Sequence, residues 1–185
     1  MAKPIAKAVF IAELQAQISE NQTAVQQTFQ PLSPTLLSQR PQPAEWSVLE
    51  CVDHLNLTHE YYWPRVEQAI AEPVLAVAAA NDAYKPSFWG RIYMHFAFNP
   101  KYSFPTADEI TPSTAPTAVV LDLYLAKQVA LLQLLADIQL FDWRKTAVSI
   151  ERGIKFNLGD CLRILVYHDR LHLGQARRAL AGLQT

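Results

Sequence analysis

The chain is short of cysteine, of net charge of either sign and of long apolar runs, and each shortage removes a class of function. Cys51 and Cys161 are its only cysteines. Both fall in predicted helices among apolar neighbours, which favours buried reduced thiols over a disulfide framework. Against 17 acidic residues stand 16 basic ones, for a formal net charge of −1. With no basic surface or charged tail, nucleic acid is not an expected partner. No uninterrupted apolar stretch is long enough to span a bilayer, so no membrane partner is expected either. Met1 to Lys7 leads into a Gln-rich amphipathic segment instead of an apolar h-region, so no secretory signal is evident, and a cytoplasmic address is the expectation.

Half of the 185 residues are hydrophobic, enough for a sizeable core in one domain spanning the whole chain. Convincing strands are missing, whereas helical periodicity recurs. Ile11, Leu14, Ile18, Val25 and Phe29 place a first helix over about residues 4–29. Pro31, Pro34, Pro41 and Pro43 then enforce an extended connector. Trp46-Ser47-Val48-Leu49-Glu50 is a start signal: Ser47 caps early helical N–H groups, Glu50 reaches back to the Ser47 amide, and Trp46 staples the entry. The second helix runs over about residues 47–71, through Pro64.

The segment from Glu72 to Pro116 is dense in proline and in aromatics: Phe88, Trp89, Tyr93, Phe96, Phe98, Tyr102 and Phe104. It is too apolar to be disordered, and the expectation is a short helix near Ser87 to Phe98 within a folded lid. A third helix over about residues 117–138 follows from Val120, Leu123, Ala130, Leu134 and Ile138, with Lys127 snorkelling from its face. Trp143 to Phe156 suits a short hairpin. The fourth helix, about residues 157–181, opens on Asn157 as N-cap with Asp160 in its first turn. The fold class is therefore all-α: a four-helix bundle with a long, partly helical connection between its second and third helices.

Two histidines, His168 and His172, lie four residues apart on the fourth helix, so they project from one face about one turn apart. Cys161, Leu165, Gln175, Ala176 and Ala179 share that stripe, which turns the imidazoles toward the bundle. Such a pair is half of a metal site. A third ligand has to come from elsewhere, and His54, His59 and His95 are the remaining histidines. His54 and His59 share the second helix; periodicity slightly favours His59, and the pattern alone leaves both open.

The order Trp46-Ser47-x-x-Glu50-x-x-x-His54-Leu55, then Gly159, then His168-x-x-x-His172-x-x-Gln175 resembles the DinB/YfiT-like family of metal-dependent four-helix bundles. The likeness runs from about Ile5 to Ala181. It implies that His54, His168 and His172 converge on one divalent metal. It also implies relatives that are thiol-S-transferases using low-molecular-weight thiols, or an isomerase dependent on such a thiol. The segment from Glu72 to Pro116 is longer and more aromatic than the family's usual connector.

Three imidazoles leave a coordination position open, and a metal there would activate water or a thiol and polarise a carbonyl. Zn, Ni or Fe suits all-nitrogen ligation. Gln175, Asp169, Glu50 and Cys51 are the candidate supporting groups, with Asp53 and Glu60 behind them. For these the structural alternatives are plain: Glu50 in a capping box, Asp53 and Asp169 in solvent, Cys51 in the core. The aromatic cluster, with Tyr61, Tyr62 and Trp63, supplies either core or the wall of a pocket above the metal. Three functions compete. The chain is a metal-dependent thiol transferase or hydrolase acting on a small molecule, a non-catalytic metal-binding or stress-response bundle, or a metal-free module that dimerises through apolar helix faces.

Overall fold

In the computed structural model, the described residues are 3–71, 83–99, 101, 105–149 and 154–183. Strand β1 (Ile5–Ala6) leads into helix α1 (Lys7–Ala24), which continues as a π-helical turn over Val25–Phe29. The proline-rich connector holds the one-turn helix α2 (Pro34–Leu37), capped by Ser33. Helix α3 (Val48–Ala71) passes through Pro64. Strand β2 (Ala83–Tyr84) pairs antiparallel with β1. Helix α4 (Phe88–Ala97) and a 3-10 turn at Asp108–Ile110 follow. Helix α5 (Val119–Asp137), the antiparallel hairpin β3 (Ala147–Ser149) and β4 (Lys155–Asn157), and helix α6 (Leu158–Gly182) complete the order.

The four long helices form the bundle. Helix α3 lies against α5 and α6, and α1 against the same two, so the consecutive long helices α1 and α3 occupy opposite corners. The long connection between α3 and α5 carries β2, α4 and the 3-10 turn. Its short helix forms where expected, with Ser87 Oγ accepting from the Gly90 amide at 2.9 Å. Phe88 and Trp89 of the aromatic cluster are exposed, at 61% and 49%, so they do not belong to the core. Tyr102, Phe104 and the tip of the predicted hairpin at Glu151-Arg152-Gly153 lie outside the described residues.

Two apolar clusters fill the bundle. One joins Phe10, Leu14 and Ile18 of α1 to Leu131 and Leu135 of α5, the hairpin and the first half of α6. The other joins the end of α1, the first half of α3 and the last turns of α6. Between them sit buried polar side chains, Gln17, Asn21, His59, Gln128 and Asp169, which hydrogen-bond among the helices as buried polar groups must. Asn21 Nδ2 donates to the Val166 carbonyl at 3.3 Å, and Asn56 Nδ2 to that of Val120 at 2.9 Å. By length and composition α5 is apolar enough to cross a membrane, with a mean hydropathy of 1.6, a signature that core helices share. Here its Val120, Leu121, Tyr124, Leu131 and Leu135 face is buried in the bundle.

Candidate metal centre

The capping box read from the sequence sets the start of α3: Glu50 Oε2 accepts from the Ser47 amide at 2.8 Å, and Ser47 Oγ from the Glu50 amide at 3.2 Å. Two turns into the helix, His54 points at α6. From α6, His168 and His172 point back, and donor nitrogens of the three rings lie within 4.8 Å of one another. His54 Nε2 and His168 Nε2 are 3.4 Å apart. Trp46, the entry staple, closes one side, its ring centroid 5.0 Å from that of His54 and 6.0 Å from that of His172.

The tautomers follow from the partners. His54 Nδ1 is 2.7 Å from the Ile110 carbonyl, which can only accept, so Nδ1 carries the proton and Nε2 presents a lone pair. His172 Nδ1 is 2.8 Å from Gln175 Oε1, which fixes that ring in the same sense. His168 Nδ1 is buried without a partner, and its Nε2 faces that of His54. Burial lowers the pKa of all three, and their mutual proximity lowers those of His168 and His172 further. His54 is held down less by the opposing Ile110 carbonyl, His168 falls well below the ordinary imidazole range, and His172 falls to about 4 despite Gln175. The trio is therefore unprotonated at neutral pH. Lone pairs 3.4 Å apart call for a proton or a cation between them. Metal–imidazole bonds of about 2.0–2.1 Å bring the nitrogens of one ion within ~4 Å of each other, a separation that His54 and His168 already meet, and the three donors together form a group that could hold a metal ion.

The supporting groups divide. Gln175 stands where expected, against a ring of the trio. Asp169 does not: it is buried at 0% exposure, not solvated, and accepts from His59 Nε2 at 3.0 and 3.1 Å and from Gln128 Nε2 at 2.7 Å. It lies one position past His168, about 100° around the helix, and so faces α3 and α5 instead of the trio. This contact also occupies His59, the rival ligand, whose Nδ1 is buried and unpartnered. Glu50 is occupied by its capping box and by Arg40, whose Nε donates at 2.9 Å. Burial pushes the Glu50 carboxyl up, but Arg40 and Ser47 together hold it below its ordinary range. Cys51 is core, its thiol pushed up to about 12 by burial, and it does not join the group that converges with His54. Asp53 accepts from the Ser113 amide and hydroxyl, Glu60 pairs with Lys127 Nζ at 3.0 Å, and His95 is exposed on α4.

A cavity of about 360 Å³ opens on the trio. Tyr61 and Tyr62 of α3, Tyr93 and Ala97 of α4, the 3-10 turn and Leu171 of α6 wall it. Trp63, grouped with these aromatics in the sequence, lines a different depression between α3 and α5.

Residues 17–176 match the family model of the DinB superfamily. The chain belongs to that superfamily. Among solved structures, this DinB-superfamily protein is similar to YfiT from Bacillus subtilis, with a TM-score of 0.55 and 16% identity over 94% of this chain and 87% of that one. YfiT is described as a probable metal-dependent hydrolase with an unusual four-helix bundle topology. At 16% identity the likeness shows the fold alone. No curated protein matches the chain.

Proposed function

We propose that the protein is a divalent-metal-dependent enzyme acting on a small molecule, by hydrolysis or by transfer of a thiol, with His54, His168 and His172 as the metal ligands. The observation that carries the reading is the position of the trio on a cavity wall: the donor nitrogens converge on one point and open onto 360 Å³ of accessible space. A closed structural site would surround its ion with protein on all sides. When bound, the metal supplies a Lewis acid that polarises a carbonyl and lowers the pKa of water or of a thiol.

The chain's own residues prepare that chemistry. The Ile110 carbonyl and Gln175 hold the outer nitrogens of His54 and His172, which fixes their tautomers. Burial keeps the rings unprotonated at neutral pH, so their lone pairs are available. Trp46 walls one side against water, and the tyrosines orient a substrate on the other. Hydrolysis draws support from the description of YfiT, and thiol transfer, with a low-molecular-weight thiol as cosubstrate, is what the resemblance of the motifs implies. Zinc, nickel and iron all accept such a ligand set.

Elemental analysis of protein purified without a metal-binding tag tests the proposal. Near-stoichiometric divalent metal is expected, lost in His168→Ala. Metal retained in that variant would remove the site as described. Metal without turnover on ester, amide and thiol-acceptor panels would select a non-catalytic bundle instead.

A further inference from the structure

We infer that the cavity over the histidines selects small molecules carrying a protonated amine or a quaternary ammonium group, with Glu109 as the residue that sets this specificity. The inference rests on the reading of the trio as a substrate-binding metal centre, and deepens it. Among the described residues that line the cavity, Glu109 carries the one formal charge at neutral pH; no lysine or arginine is present. Glu109 is exposed and makes no hydrogen bond or ion pair with the described residues. It is held in place all the same, because its chain neighbour Ile110 is tied by its carbonyl to His54 Nδ1 at 2.7 Å.

Three further features have the same sign as that carboxylate. Asp108 stands on the same 3-10 turn. Helix α4 ends at Ala97 on the cavity wall, which brings the negative end of its dipole there. Tyr61, Tyr62 and Tyr93 line the same cavity, and aromatic rings attract cations. Tyr61 already does so within the protein: Arg65 lies over its ring, 3.9 Å from the centroid, and donates to the Tyr61 carbonyl. Arg65 does not itself line the cavity. A ligand matched to this field places its cationic end toward Glu109 and the tyrosines, and a neutral or anionic Lewis base toward the histidines. An anion at the outer end would meet the carboxylate without a counter-charge.

Phenethylamine, phenethyl alcohol and phenylpropionate have similar shape and differ in charge, so they form the probe set. Binding is measured by calorimetry on the metal-free chain, where carboxylate coordination to an ion cannot contribute. Phenethylamine is expected to bind about tenfold more tightly than phenylpropionate, as a charge pair joined to a cation–π contact warrants. Glu109→Gln should narrow that gap to about twofold without moving the melting temperature, since Glu109 is exposed. Equal or tighter binding of phenylpropionate, no binding of any of the three, or an unchanged gap in Glu109→Gln would overturn the inference. Zinc titrated back into the same metal-free chain and measured after dialysis separates the two readings. An amine preference in protein that does not retain zinc faults the metal centre alone, and retained zinc without the preference faults only the specificity.

Discussion

His59 Nε2 donates to the carboxylate of Asp169, 3.0 Å from Oδ1 and 3.1 Å from Oδ2, in a contact where both side chains are almost wholly buried. With Gln128 donating to Oδ2, the contact joins α3, α5 and α6 midway along the bundle. Removing one partner leaves a buried carboxylate poorly compensated, a loss of about 3–5 kcal/mol in comparable pairs. His59→Ala is therefore expected to lower the urea-denaturation free energy by roughly 3 kcal/mol while leaving metal content unchanged. His54→Ala should do the reverse. Metal lost from His59→Ala yet retained in His54→Ala would exchange their roles.

Gln175 and Glu50 are both candidates for support of the metal by sequence, and the structure separates them. Gln175→Leu leaves His172 Nδ1 without its acceptor, and loss of such an outer partner lowers metal affinity by about 10–100-fold. Competition against a chelating dye measures this. Glu50→Ala removes the capping box and the Arg40 contact, so it should cost about 1–2 kcal/mol of stability and leave dye competition as in the parent chain.

The four long helices are legible because the apolar positions repeat at helical intervals and both caps carry the expected side chains: Ser47 with Glu50, and Asn157 accepting from the Asp160 amide at 2.8 Å. The His168 and His172 pair is legible for the same reason, since spacing along one helix fixes direction. The choice between His54 and His59 is not, because both fall on buried faces of α3 and periodicity cannot tell a face turned to α6's histidines from one turned to Asp169. The Ile110 contact has no signal at all: a backbone carbonyl is the same in every residue. Asp169 reads as solvated because an acidic residue beside a histidine gives no hint that a glutamine on another helix will satisfy it.

Acid should destabilise the metal-free protein in a definite window. His172 has a folded pKa of about 4 against an ordinary imidazole value of 6.5, and those of His54 and His168 are lowered too. Between those values the unfolded chain binds more protons than the folded one, so stability is full above the unfolded pKa and falls as pH drops through the folded pKa. For His172 the loss is on the order of 3 kcal/mol at most. Thermal melts of metal-free protein should therefore fall steadily from about pH 6.5 to pH 4, and His172→Gln should flatten the slope. A slope as steep in His172→Gln as in the parent would show that other groups govern it.

Asp160 fastens the connector to α6. Its carboxylate accepts from Tyr84 Oη at 2.8 Å and from the Ser87 amide at 2.9 Å, at 0% exposure and in the first turn of the helix, where a negative charge is favoured. Gly90 sits against that carboxylate, and a Cβ there would overlap it. Burial and the nearby charge raise the Tyr84 pKa well above its ordinary value, so Tyr84 remains a donor across the accessible pH range. Gly90→Ala must push α4 off Asp160 or displace the carboxylate, at an overpacking cost of about 1–3 kcal/mol. Because α4 carries Tyr93 and Ala97 to the cavity wall, the same variant should weaken binding of phenethylamine several-fold more than it weakens metal binding, whose proposed ligands all come from α3 and α6. Equal losses in the two measurements would mean that the damage spreads through the bundle instead of staying in the connector.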